Sequence, residues 1–296
     1  MNNLISQCID NLEQKWNQNN EPFPMNVDLI LDGGAFGGSY TLGSLYYLQE
    51  LVCRKKITLH RISGVSIGSI MGFLLIANRL DDGISLYRSF FYYFKENGSL
   101  SIFKKTLQKI ISSLPKDFYL QCNSKLYISY FNCKSNKHVT QYQYKSNKDL
   151  CNSMLRSSFV PFIITGNLLL KNKYLDGMYP YIFPKLHHRK RIFIDLTPKI
   201  VNMLYIKHEI HNVERIMEGI LDIHHLLFRN SKKQFCSFID DWSVTYKTYM
   251  YVRIFASDLY VWLLHIYLKY FRTEYLIHFK SYFNYVLQHI IKYTLV

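Results

Sequence analysis

The chain has 296 residues, 49% of them apolar, which supplies a sizeable core and excludes a disordered protein. Thirteen glycines, seven prolines and six cysteines in that length exclude collagen-like and disulfide-framework classes. Lys and Arg number 36 against 21 Asp and Glu, and the resulting +15 favours anionic partners, either a lipid surface or nucleic acid.

Residues 1–25 are polar and end in Glu21-Pro22-Phe23-Pro24, which reads as a lead-in segment. No basic stretch followed by a long apolar one opens the chain, so no secretory signal is expected. No apolar run approaches the roughly 20 residues that span a bilayer. The expectation is a cytoplasmic protein, soluble or peripheral at membranes. The six cysteines form no C-x-x-C pair, as a zinc or redox site would require.

Val27–Leu31 reads as a short apolar strand running into Asp32-Gly33-Gly34-Ala35-Phe36-Gly37-Gly38, and 39–54 has helical spacing. A second unit follows at once: strand 57–62, the turn Ser63-Gly64-Val65-Ser66-Ile67-Gly68, and a buried helix over 69–78. Alternation of this kind predicts an α/β fold with a largely parallel sheet. Residues 81–114 read as helix interrupted near Gly98, and 126–131 with 139–144 as a hairpin around a polar turn. Helix returns at 149–157, and 173–175 forms a strand ending in Asp176-Gly177. After about 196 the pattern is helical, with no glycine beyond Gly219.

Three features carry chemistry. Gly64-Val65-Ser66-Ile67-Gly68 lies between a strand and a helix, where small residues permit a sharp turn that lifts the serine hydroxyl to the sheet edge. Taken alone it is also compatible with a plain tight turn. The Gly-rich loop at 33–38 lacks the Gly-Lys-Ser/Thr of a nucleotide P-loop, and Ala35 breaks the dinucleotide pattern. Its amides suit an oxyanion hole built from Gly33, Gly34 and Ala35. Asp176 closes a strand and can serve as the base for a serine, although Asp-Gly is also a common turn.

In order and in context these motifs resemble the patatin-like phospholipases. That family's pattern is a strand leading to D-G-G-G-x-[RK]-G, then G-x-S-x-G, then D-G-[GA]. Met154–Phe162 also looks like the family's small-residue helix end and Pro step. The resemblance covers about 26–200. It implies a three-layer patatin-like α/β domain over 26–200, followed by a helical, aromatic-rich extension over 201–296. It further implies a Ser66–Asp176 dyad acting without histidine, with Gly38, Gly64, Gly68 and Gly177 as motif glycines. No metal or organic cofactor is needed, and the substrate is a phospholipid or related acyl lipid.

Three positions depart from the pattern. Ala35 replaces a glycine, which is tolerable if its φ stays negative. Gly37 stands where the family has Arg or Lys, so the loop is either left less positive or takes a cation from elsewhere, with Arg61 and Arg156 as candidates. Met178 narrows the space after Asp-Gly. A catalytically impaired lipid-binding protein is therefore the alternative reading.

Histidine clusters at 187–188, 208–211 and 224–225 lack H-E-x-x-H spacing and read as surface or core residues rather than a metal site or a triad base. Lys185, Arg189, Lys190 and Arg191 follow Asp176 closely and read first as a solvated loop; the same residues also suit an anionic membrane surface beside the site mouth or a nuclear-localisation run. The tail from Trp242 is rich in aromatics. Trp262, Tyr267, Tyr270 and Phe271 with Lys269 and Arg272 suit an interfacial face or packing on the core. Nucleic acid is not expected, since no binding motif is present.

Overall fold

The computed structural model describes residues 2–18, 24–197, 206, 212–229, 235–270 and 286. Its first element is a helix, α1 (Asn2–Gln18), in the stretch read as a polar lead-in. Ile5, Ile9, Leu12 and Trp16 recur at three- and four-residue spacing, and all four are buried in the main core. An average polarity hides such a narrow stripe.

The two strand–loop–helix units follow as expected: β1 (Met25–Leu31), one 3-10 turn (Ala35–Gly37), α2 (Gly38–Cys53), β2 (Ile57–Val65) and α3 (Ile67–Ile76). Then come α4 (Leu80–Asn97), α5 (Phe103–Ser112), α6 (Tyr119–Cys122), and the hairpin of β3 (Leu126–Asn132) with β4 (Lys137–Gln141). Ser146 caps α7 (Asn147–Ser157) by accepting the Asp149 amide hydrogen. The remaining elements are β5 (Tyr174–Asp176), β6 (Lys190–Ile194), α8 (Val213–Arg229), β7 (Cys236–Phe238), a second 3-10 turn (Ile239–Asp241) and α9 (Val244–Tyr270).

The sheet runs β4-β3-β2-β1-β6-β7. β1, β2, β3 and β6 are parallel, and the edge strands β4 and β7 are antiparallel to their neighbours. Helices surround this mostly parallel sheet, giving the mixed α/β architecture that the sequence predicts. β1 is central and fully buried over Leu29–Leu31, which explains its continuous apolar run.

β5 explains how the site is assembled. β2 pairs with β3 only as far as Val65 opposite Ser129, where the chain turns away at Ser66. β5 then takes the vacated lane, pairing with β3 over Tyr130–Asn132 in the opposite direction. The two strands meet head-on, so Asp176 arrives beside Ser66.

Two strands were not legible as such. β6 starts inside the basic run, so charge masks Ile192-Phe193-Ile194, and β7 is only three residues long. β7 pairs with β6, and α8 packs directly on α2, although both come from the stretch expected to be a helical extension. A Cβ on Gly219 would lie 2.0 Å from the Tyr40 carbonyl oxygen, so these two helix backbones cross at the closest approach that glycine allows. Among the described residues no helix is long and apolar enough to cross a membrane.

Candidate active site

Ser66 sits at the turn between β2 and α3 with φ 53° and ψ −128°, a conformation that non-glycine residues rarely adopt. The two flanking glycines make this possible. A Cβ on Gly64 would lie 2.6 Å from the Gly68 carbonyl oxygen, and one on Gly68 would lie 2.5 Å from that of Asp32. The turn is held from outside: the Ser66 amide donates to Ser157 Oγ (2.9 Å), whose hydroxyl donates to the Ser129 carbonyl (2.6 Å). Ser69 Oγ donates to the Ser66 carbonyl at 2.7 Å. The serine is half-buried, at the carboxyl edge of the sheet, and at the N-terminus of α3.

Asp176 ends β5, and its Oδ1 accepts the Met178 amide at 2.8 Å. Its Oδ2 is buried and has no hydrogen-bond partner. Burial pushes this carboxyl up to about 6, while the Met178 amide, the nearby Ser66 hydroxyl and the Arg253 charge hold it from going higher. The serine contact is loose rather than a formed hydrogen bond. A free carboxylate oxygen that faces a hydroxyl near neutrality is what a general base requires.

The Gly-rich loop lies against this pair, since a Cβ on Gly33 would be 3.0 Å from Ser66 Cβ. Of its three expected oxyanion donors, Gly33 is already engaged: its amide donates to Asp32 Oδ1 at 2.8 Å. The Gly34 and Ala35 amides have no protein acceptor among the described residues. Ala35 has φ 43°, so the condition of a negative φ is not met and the loop carries strain at that residue. Met178 is likewise at φ 58°.

Neither arginine expected to supply the missing loop cation does so. Arg61 lies earlier on β2, donating to Asp28 at 2.5 and 3.1 Å. Arg156 turns to Tyr130 and Gln141 on the β3–β4 hairpin, at 3.3 Å each. The cation that does arrive is Arg253, from α9, which donates to both oxygens of Asp32 at 2.7 and 2.8 Å. Nothing in the motif set points to it, because it lies 77 residues beyond Asp176 by number.

The basic run is not at the site mouth. Lys190 stands opposite Val27 at the start of β1, so the cluster occupies the amino end of the parallel sheet, away from Ser66. Several of its charges are already matched: Arg189 with Asp28 (3.3 Å), and Arg191 and Lys185 with Asp240 (2.6 and 3.5 Å). It lines an open cavity of about 620 Å³ together with Lys15 and Arg229.

A family model for the patatin-like phospholipases matches residues 29–195, more than half of the chain. The chain belongs to that family. Hydrolase chemistry on lipid acyl substrates comes with this membership. A search of curated proteins finds no match to this chain. The matched span holds Ser66, Asp176 and the Gly-rich loop, and stops short of Arg253. Among the described residues no histidine hydrogen-bonds to Ser66 or Asp176. His225 lies on α8, and His208 and His211 lie outside the described residues, as do Phe271 and Arg272. The described residues hold no group of three or more His, Cys, Asp or Glu that could bind a metal.

Proposed function

We propose that the protein hydrolyses carboxylic esters of membrane phospholipids or related acyl lipids through a Ser66–Asp176 dyad. The observation that carries this reading is the free, buried Oδ2 of Asp176 delivered beside a serine in a strained elbow. Ionised Asp176 accepts the hydroxyl proton as Ser66 Oγ attacks the acyl carbonyl carbon. The carbonyl oxygen becomes the oxyanion, and the Gly34 and Ala35 amides donate to it. Asp176 returns the proton to the leaving alcohol, and the acyl group stays on Ser66. Water, losing a proton to Asp176, then attacks the ester, and the released acid leaves Ser66 and Asp176 restored. A small apolar crevice between Ala35, Gly38, Ile67, Met71, Leu86 and Phe90 lies next to the loop and suits the start of an acyl chain.

Lipid contact fits the outward face of α9 better than the basic run. Tyr251, Val252, Phe255, Leu259, Trp262 and Leu263 are exposed on it, while Met250, Val261 and Leu264 pack inward. α9 also touches the site through Arg253, whereas the basic run is at the other end of the sheet.

A fluorophosphonate probe tests the assignment. Wild type is expected to label and to hydrolyse a short-chain ester, and Ser66→Ala to do neither while keeping its fold. Equal turnover in both proteins removes the reaction from this site. A folded wild type with neither labelling nor turnover favours the alternative, a lipid-binding protein that has lost catalysis, for which Gly37 and the strained Ala35 are the supporting observations.

A further inference from the structure

We propose that Arg253 is a positioning residue of the active site, tying the oxyanion loop to the Asp176 turn, so that α9 completes a catalytic centre whose motifs all lie before it. This inference rests on the dyad reading above. The guanidinium makes three short contacts to two separate loops. Nη1 and Nη2 grip the Asp32 carboxylate at 2.7 and 2.8 Å, and Nη2 also donates to the Met178 carbonyl at 2.6 Å. Asp32 in turn accepts the Gly33 amide, which orients the loop, and Met178 donates its amide to Asp176 Oδ1. One planar fork therefore spans both halves of the site, two residues from the base and next to the oxyanion amides.

Burial makes the arrangement directional. Asp32 is fully buried and the Arg253 side chain is only 15% exposed. Burial works against the Arg253 charge, and Asp32 more than restores it. A second buried acid, Asp195 at the end of β6, lies close by. Burial and then Asp32 push its carboxyl up, while Thr197 and Tyr246 bond to it. Tyr249, also on α9, interacts with Asp195, Arg253 and Asp32. With Asp176 the pocket thus holds three carboxyls and one permanent cation, and removing the cation leaves Asp32 without a countercharge, held by the Gly33 amide and the Thr197 hydroxyl.

Arg253 also acts on the base through space, since its charge lowers the Asp176 carboxyl and Asp32 raises it. Two separable effects follow: a mechanical tie through the fork, and a charge that keeps the base ionised. Lysine keeps the charge without a bidentate fork.

The test measures kcat, KM and the pH profile, per site counted by fluorophosphonate labelling, on three variants. Arg253→Lys is expected to lose about tenfold in kcat with KM within twofold and the acid limb in place. Arg253→Gln is expected to lose more and to move the acid limb to higher pH. Asp32→Asn/Arg253→Gln removes both charges without stranding either. Its limb is expected to return toward wild type while kcat stays low, because the tie is still broken. If Arg253→Gln does not fold, the lysine and double variants carry the comparison. A kcat per labelled site within twofold of wild type in the folded variants, with an unmoved limb, overturns the proposal and leaves Arg253 a packing residue. If wild type itself has no Ser66-dependent turnover, the dyad reading fails instead. Carboxyl carbon NMR of Asp176 then still shows whether Arg253 controls its titration.

Discussion

The two ends of the parallel sheet both concentrate charge, and they use it differently. At the amino end, Lys185, Arg189, Lys190 and Arg191 crowd the start of β6; the two lysines are exposed, the two arginines are half-buried, and Asp28 and Asp240 offset the cluster. At the carboxyl end, Asp32 and the free Oδ2 of Asp176 are buried, and the half-buried Arg253 reaches in to join them. Water screens the exposed lysines of the first set, so Lys185 and Lys190 contribute little individually. The second set is shielded from water, so each charge there controls a pKa or a loop position. Density of charge in the sequence therefore points to the wrong end of this molecule.

Asp176→Asn should sharpen the contrast most. Turnover is expected to fall at least a hundredfold through loss of the general base. The same change should raise the melting temperature at neutral pH. The Asp176 carboxyl is lifted from 3.8 to about 6 by burial, so its contribution to stability is full below pH 4 and is lost as pH rises through 6. Ionisation of this carboxyl then costs on the order of 3 kcal/mol above pH 7. The melting advantage of the variant should grow between pH 4 and 7 and level off beyond. An advantage that is independent of pH would detach the shift from Asp176.

Activity should follow the same group. With Asp176 as the base, kcat/KM of wild type is expected to fall about tenfold per pH unit below 6 and to be flat just above. A limb governed by histidine would instead shift when His224 or His225 is replaced, which is not expected.

A smaller effect is expected at the oxyanion loop. Ala35 holds φ 43°, so Ala35→Gly should relieve about 1 kcal/mol of backbone strain, read as a higher urea midpoint. Destabilisation by this change would mean that the alanine methyl packs usefully. The smallest effect belongs to the amino end. Lys185→Gln, at a side chain 63% exposed, should cost no more than about 0.5 kcal/mol, fade with salt, and leave kcat within twofold. A large loss of activity there would break the contrast between the two ends.

The sequence alone determined the local chemistry. Apolar runs 27–31 and 57–62, each ending in small residues before a helical stripe, dictate strand–loop–helix units, because glycine spacing and apolar periodicity are short-range properties. Those units already named Ser66, the Gly-rich loop and, through motif order, Asp176. What lay beyond was long-range. Sequence spacing does not reveal that β5 enters the lane β2 leaves, bringing Asp176 to Ser66. Nor does it reveal that Gly33 spends its amide on Asp32, or that Ala35 takes a positive φ. Arg253 was one basic residue among six in an aromatic tail, and only the docking of α9 turned it toward Asp32. The basic run shows the converse: its composition was plain, and its position was set by which way β6 runs beside β1. Pairing direction and burial decide what a charge does, and both are properties of the assembled sheet rather than of any one segment.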